Sequence, residues 1–99
     1  MSTHDITVKV EPVFRKYNIT FAGLFGSQAR GEARADSDVD FLVEFGRIPS
    51  LVQLIRFENE LKEVLHTDVD VIMRGSEKPF VKHNIEKDLI TIYEQRPAV

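Results

Sequence analysis

The 99-residue sequence contains no cysteine and no tryptophan. Without thiols, disulfide bonds and thiolate metal sites are excluded. No apolar run approaches the ~20 residues that cross a bilayer, and the first five residues lack the basic and apolar regions of a signal peptide. We therefore expect a protein that lies in the cytoplasm and does not associate with membranes.

Positive charge is also scarce, because 13 Lys and Arg stand against 16 Asp and Glu, for a net charge of −3. The basic residues are dispersed, so no basic arm or tail is present. Nucleic acid is therefore not the expected partner, since duplex binding depends on many phosphate contacts. A small anionic ligand needs only two or three well-placed cations. The chain is long enough for one domain, residues 1–99.

Three short apolar runs with alternating side chains predict β-strands over residues 19–25, 39–45 and 69–73. Helical patterns alternate with these runs, which predicts an α+β (layered α/β) domain. In the second run, alternation separates an apolar face from a face that carries acids. The apolar face holds Val39, Phe41, Val43 and Phe45, and the other holds Asp38, Asp40, Leu42 and Glu44.

Helices are predicted where apolar residues recur every three to four positions. The first, over residues 5–17, contains Pro12, so we expect a kink or a restart near Glu11. Ser50 and Gln53 form a capping-box pattern that predicts a helix to about Leu65. Its expected core stripe is wide, which leaves part of it for a homodimer or partner interface. The stripe comprises Leu51, Leu54, Ile55, Glu58, Leu61 and Leu65, and it is widened by Val52, Phe57 and Val64.

The last part of the chain fits two patterns. Pro79 is well placed to begin a final helix, because its missing N–H is unneeded in the first turn. Spacing continues the helix through residue 92, whereas residues 89–93 equally fit an edge strand. Both alternatives remain open from the sequence.

A turn and two acids form the most informative motif. Gly26 and Ser27 end the first strand, and after ten further residues Asp38 and Asp40 open the second. The backbone N–H groups and hydroxyl of such a turn can donate to phosphate oxygens. Two carboxylates on one face of a strand can hold Mg²⁺ against that phosphate. The motif therefore predicts a site for a nucleoside triphosphate, with two Mg²⁺ ions about 4 Å apart.

Asp70 is the predicted third carboxylate, because the alternation around it mirrors that around Asp38 and Asp40. It would serve as a further metal ligand or as general base for an attacking hydroxyl. Two carboxylates ~4 Å apart repel by about 4 kcal/mol at an effective dielectric near 20, so a cation is favoured here. Asp68 is the competing acid, and its position at the strand edge favours a solvated role.

Residues 24–31 (Leu-Phe-Gly-Ser-Gln-Ala-Arg-Gly) and 37–43 (Ser-Asp-Val-Asp-Phe-Leu-Val) resemble the minimal nucleotidyltransferases of the DNA polymerase β superfamily. They follow that family's Gly-Ser-x10-Asp-x-Asp signature. The flanking helices and the third strand extend the resemblance over nearly the whole chain. The resemblance implies a small mixed β-sheet flanked by helices, the polymerase-β-like palm.

The same resemblance implies roles for individual residues. Gly26 and Ser27 would bind the phosphates of ATP, and Asp38 and Asp40 would bind Mg²⁺ together with Asp70. Arg30 would steady either the turn or a phosphate. Arg74, Lys78 and Lys82 follow the third strand, and the sequence leaves open whether they contact the triphosphate or face solvent.

Short members of this family are similar to antitoxins encoded beside a HEPN-domain ribonuclease toxin. The implied reaction is transfer of AMP from ATP to a tyrosine of the toxin. One alternative is an antitoxin that only binds and occludes its partner. Another is nucleotidyl transfer to RNA or to a small molecule; the acidic charge disfavours RNA, and the lack of a recognition domain disfavours a small molecule.

Overall fold

Helices and strands alternate along the chain. A computed structural model of the protein describes residues 2–31, 38–76 and 79–95. None of the helices in these ranges is both long and apolar enough to cross a membrane. In chain order the elements are α1 (Thr3–Lys16), β1 (Ile19–Phe25), α2 (Ser27–Arg30), β2 (Val39–Phe45), α3 (Leu51–Leu65), β3 (Val69–Met73), α4 (Pro79–Asp88) and β4 (Ile90–Glu94).

The four strands form one mixed sheet in the order β3-β2-β1-β4. Strand β1 runs antiparallel to both of its neighbours, β2 and β4. Strands β2 and β3 are parallel, and α3 provides the crossover that a parallel pair requires. The predicted α+β class and the bounds of the first three strands are confirmed. The fourth strand shows that the edge-strand alternative for the end of the chain is correct.

Helix α1 begins at a capping box in which the Ser2 hydroxyl accepts from the Asp5 N–H at 3.1 Å. It continues through Pro12 as a single helix, so the predicted restart near Glu11 is wrong. Proline costs this helix one backbone hydrogen bond. Val10 and Phe14, on either side of Pro12, are fully buried against the sheet, and this packing holds the helix together across the missing bond.

Helix α3 has the predicted start and end, and Ser50 and Gln53 form the predicted capping box. The predicted core stripe is confirmed in the second half of the helix and wrong in the first half. Phe57, Leu61 and Leu65 are buried, whereas Leu51 is 72% exposed and Ile55 is 49% exposed. The helix therefore turns a neighbouring stripe to the core, because periodicity alone does not say which of two adjacent apolar stripes packs inward.

The sheet separates two hydrophobic clusters. The larger cluster lies under α1 and α3, where Phe14 contacts Phe41 edge-on at 5.8 Å between ring centroids and Phe57 at 5.9 Å. The opposite face carries a smaller cluster in which Leu42 packs with Ile85 of α4. The alternation predicted for β2 is therefore confirmed, and the acids of β2 share the less covered face with Leu42.

Candidate active site

The turn after β1 lies directly against the first residues of β2. Phe25 is the register partner of Asp40, which places Gly26 beside the Asp40 side chain. A Cβ at Gly26 would overlap Asp40 Oδ2. Gly26 also has φ +75° and ψ −152°, a backbone conformation almost confined to glycine. Both constraints explain why this turn needs glycine, and they bring its backbone next to a carboxylate.

The parallel pairing of β2 and β3 brings two predicted carboxylates together. Asp40 and Asp70 are register partners, so their side chains leave the same face of adjacent strands. Asp38 lies two residues before Asp40, immediately before the first residue of the same strand, and it is exposed. The three predicted acids therefore meet at one end of the sheet, on the face opposite the main core.

The electrostatics of Asp40 reflect this arrangement. The carboxyl is half-buried, and burial raises its pKa from 3.8 to about 6, with further increases from the negative charges of Asp70 and Asp38. Arg30 acts in the opposite direction and lowers the Asp40 pKa. Asp68, the competing acid, is exposed and is not among the charges that shift Asp40. The surroundings of Asp40 thus match a predicted trio of Asp38, Asp40 and Asp70.

The chemistry of this donor set suits Mg²⁺, which prefers carboxylate oxygens. Within residues 2–31, 38–76 and 79–95, however, no three acidic or histidine side chains are already close enough to enclose an ion. Mg²⁺ usually binds through one or two carboxylates together with substrate phosphates rather than in an all-protein cage. An open set of carboxylates beside the turn at Gly26 and Ser27, which is predicted to bind phosphate, therefore fits this metal.

Ser27 is the first residue of α2, and Gly26, not Ser27, occupies the N-cap position. No residue in the described part of the chain accepts or donates a hydrogen bond to the Ser27 hydroxyl. The Ser27 side chain therefore does not cap the short helix. The turn lies beside Asp40, and the phosphate-binding role of Gly26 and Ser27 stays a prediction.

Arg30 links this turn to a distant part of the chain. Its Nη1 lies 2.7 Å from Asp88 Oδ2, at the last residue of α4. The Asp88 side chain is only 17% exposed. Sequence reasoning missed this partner because 58 positions separate the two residues and no local pattern joins them. The available signal was an acid at a helix C-terminus, where the helix dipole disfavours negative charge.

The basic residues after β3 have different positions. The Arg74 guanidinium lies over the Phe21 ring at 4.3 Å and 3.5 Å from Glu44 Oε1. These contacts hold it at the end of β3 away from Asp70. Lys82 is exposed on α4. Lys78 lies outside the described residues.

Comparisons with known proteins agree on the fold and the family. The family model described as "Polymerase beta, Nucleotidyltransferase" matches residues 8–98. A Methanocaldococcus jannaschii protein, provisionally named a protein adenylyltransferase, is 39% identical over 92 residues, which cover 93% of this chain and 99% of that protein. The protein adenylyltransferase MntA of Thermococcus cleftensis is 34% identical over 87 residues, which cover 88% of each chain.

Solved structures of toxin–antitoxin complexes have the same fold. A chain of a toxin–antitoxin crystal structure with AMP-PNP superposes with a TM-score of 0.78 at 18% identity, over 91% of this chain and 74% of that chain. A chain of the Shewanella oneidensis complex of a tri-AMPylated HEPN toxin with its MNT antitoxin gives a TM-score of 0.73 at 16% identity, over 94% and 73%. With its Gly-Ser turn beside two in-register aspartates and a family match along nearly its whole length, the chain belongs to the polymerase beta nucleotidyltransferase family.

Proposed function

We propose that this chain is a Mg²⁺-dependent protein adenylyltransferase that transfers AMP from ATP to a tyrosine of a HEPN-domain toxin and so acts as its antitoxin in the cytoplasm. The observation that carries the chemistry is the register of Asp40 with Asp70, beside the turn at Gly26. The names of the relatives support the acceptor class, since a similar protein is named a protein adenylyltransferase and a similar fold occurs with an AMPylated HEPN toxin.

In the proposed reaction the acceptor hydroxyl oxygen attacks the α-phosphorus of ATP. The new P–O bond forms as the bond to the β-phosphate breaks, and pyrophosphate leaves. Asp70 accepts the hydroxyl proton, directly or through water, or serves as a further metal ligand. Gly26 and Ser27 hold the phosphates in line, and Arg30 adds positive charge beside them. Asp38 and Asp40 would bind Mg²⁺, which neutralises the charge that develops on the phosphates.

The test is transfer of label to the purified product of the neighbouring reading frame, which the proposal predicts to be a HEPN protein. ATP labelled at the α-phosphate should label the acceptor, whereas ATP labelled at the γ-phosphate should not, because pyrophosphate leaves. Asp38→Asn and Asp40→Asn should abolish labelling in proteins that still unfold cooperatively. Glu94→Gln, which removes an exposed acid on the opposite edge strand, is the matched control and should label normally.

Inhibition of the toxin separates this proposal from the alternatives. If the Asp40→Asn protein neutralises the toxin as well as the wild type does, the chain is a binding-only antitoxin. Transfer of AMP is then not the mechanism by which it inhibits the toxin. If label appears on RNA or on a small molecule in preference to protein, the acceptor class is wrong while the nucleotidyl transfer stands.

A further inference from the structure

Exposed large apolar side chains are concentrated in one place on this protein. Six are exposed among the described residues, and four of them fall within eight positions: Ile48, Leu51, Val52 and Ile55. Ile48 is 95% exposed and lies two residues before the cap of α3. Positions 51, 52 and 55 are neighbours on one side of a helix. Leu51, Val52 and Ile55 therefore form one apolar patch on the first turns of α3, with Ile48 just before it in the chain, and exposed apolar patches mark interaction sites.

This patch carries positive charge in a protein that is otherwise acidic. Residues 46–57 contain Arg47 and Arg56 and no acid, whereas the other 87 residues hold 11 Lys and Arg against all 16 Asp and Glu. Both arginines are exposed, and no carboxylate of the described residues forms an ion pair with either. We call these six residues, Arg47, Ile48, Leu51, Val52, Ile55 and Arg56, the cationic apolar surface.

An open groove of about 800 Å³ runs beside this surface and shares Arg47, Ile48 and Arg56 with it. Tyr17 and Phe45 supply aromatic lining. The acids of the groove come from later turns of α3, and one of them, Glu60, is paired with Lys16 at 2.6 Å. The part of the groove next to the cationic apolar surface is therefore lined by apolar and positively charged side chains.

The charges decide which occupant fits. In a two-fold contact between copies, the same patch meets itself, so both pairs of arginines would crowd together with no acid in the patch to pair them. Two cations are too few to hold a nucleic acid or an anionic bilayer. An acidic protein surface with apolar side chains satisfies both the arginines and the patch.

We propose that the cationic apolar surface docks an amphipathic helix of the protein acceptor, with Asp or Glu flanking its apolar stripe. This inference rests on the proposed function, because it takes the acceptor to be a protein. The surface lies beyond the end of β2, a strand of seven residues or about 20 Å whose opposite end carries Asp40. Docking there leaves the carboxylates open and supplies binding energy remote from the reacting atoms.

The experiment measures binding of the purified HEPN acceptor without ATP, by calorimetry, alongside label transfer. Leu51→Ser/Ile55→Ser should weaken binding about tenfold or more, since both side chains lie within the patch. Arg47→Glu/Arg56→Glu should weaken binding and reduce its salt dependence. In transfer assays both double variants should raise the acceptor KM and leave kcat unchanged. Val8→Ser is the control, because Val8 is 56% exposed on α1, outside the surface.

Each outcome bears on one proposal or the other. Normal acceptor binding by both double variants, with label transferred, overturns the docking surface and leaves the adenylyltransferase standing. If the acceptor binds the wild type more tightly than it binds the double variants, but the wild type transfers no label, the docking surface is supported and the adenylyltransferase activity is overturned. A wild-type dimer that Leu51→Ser/Ile55→Ser dissociates shows that a second copy is the occupant, and binding to anionic vesicles lost in the charge variant shows a membrane; either result overturns the acidic helix.

Discussion

Arg30 of α2 and Asp88 of α4 form an ion pair over 2.7 Å that joins the turn after β1 to the far end of the chain. Asp88 is largely buried, and Arg30 is 43% exposed. Because Arg30 also lowers the pKa of Asp40, its guanidinium lies within electrostatic reach of the candidate catalytic carboxylates. The pair therefore restrains the segment that carries both the Gly-Ser turn and a positive charge near Asp40.

We expect Asp88→Asn to raise the KM for ATP about fivefold, equivalent to the roughly 1 kcal/mol of a partly exposed ion pair. The kcat should stay within about twofold, because Asp88 acts through Arg30. Asp88→Glu should restore most of the ATP affinity by keeping the charge. Arg15→Gln breaks an exposed pair of similar length, 2.6 Å, within α1 and should change neither constant. An equal fall of kcat in both Asp88 variants would contradict this positioning role.

Gly26 and Gly31 offer a matched pair of substitutions. Both have positive φ, +75° and +73°, but a Cβ at Gly26 would overlap the Asp40 carboxylate, whereas a Cβ at Gly31 would meet nothing within 4 Å. Gly31→Ala, in the left-handed region, should cost about 1 kcal/mol of backbone strain in urea unfolding, and Gly26→Ala, at ψ −152°, should cost about 2–3 kcal/mol. Only Gly26→Ala should also lower AMP transfer, by about a hundredfold, because it displaces Asp40, whereas Gly31 has no such neighbour among the described residues. Comparable losses of activity in both variants would show that strain, not displacement of Asp40, is responsible.

The raised pKa of Asp40 predicts how stability changes with pH. Burial, Asp70 and Asp38 raise it from 3.8 to about 6, so the folded protein holds this proton more tightly than the unfolded chain does. Between about pH 4 and pH 6 the folded state binds more protons, and the free energy of unfolding falls as the pH rises through this window. Because the group keeps some contact with solvent, we expect a fall of about 1 kcal/mol in EDTA.

Asp40→Asn should remove this fall, and Mg²⁺ at neutral pH should restore stability to the wild type by binding the charged form. Urea unfolding at three pH values, with and without Mg²⁺, measures both effects. A pH dependence that persists in Asp40→Asn would assign the titration to another group.

Local signals in the sequence were enough to predict most elements of this fold. Ser50 and Gln53 mark the start of α3 because a capping box involves residues three positions apart, and alternation over residues 39–45 gives both the strand and its two faces. The position of Asp70 beside Asp40 was predictable for the same reason, since the pattern around Asp70 repeats that around Asp40.

Features set by distant contacts were not predictable. The pairing of Arg30 with Asp88 depends on where α4 ends relative to β1, which no local pattern contains. Continuity of α1 across Pro12 depends on packing against the sheet. Which stripe of α3 faces inward depends on the angle at which that helix lies on the sheet, so Leu51 and Ile55 were wrongly assigned to the core from the sequence.

Asp70 and Asp68 provide the sharpest test of the third carboxylate. They are two positions apart on the same face of one chain segment, and both are exposed. Only Asp70 is in register with Asp40 and raises the pKa of that carboxyl. Asp70→Asn should therefore lower kcat for AMP transfer by about a hundredfold or more with little change in stability, because it removes a base or metal ligand without opening a cavity. Asp68→Asn removes the same charge and should retain full activity. If Asp70→Asn also retained full activity, Asp70 would be excluded from the reaction.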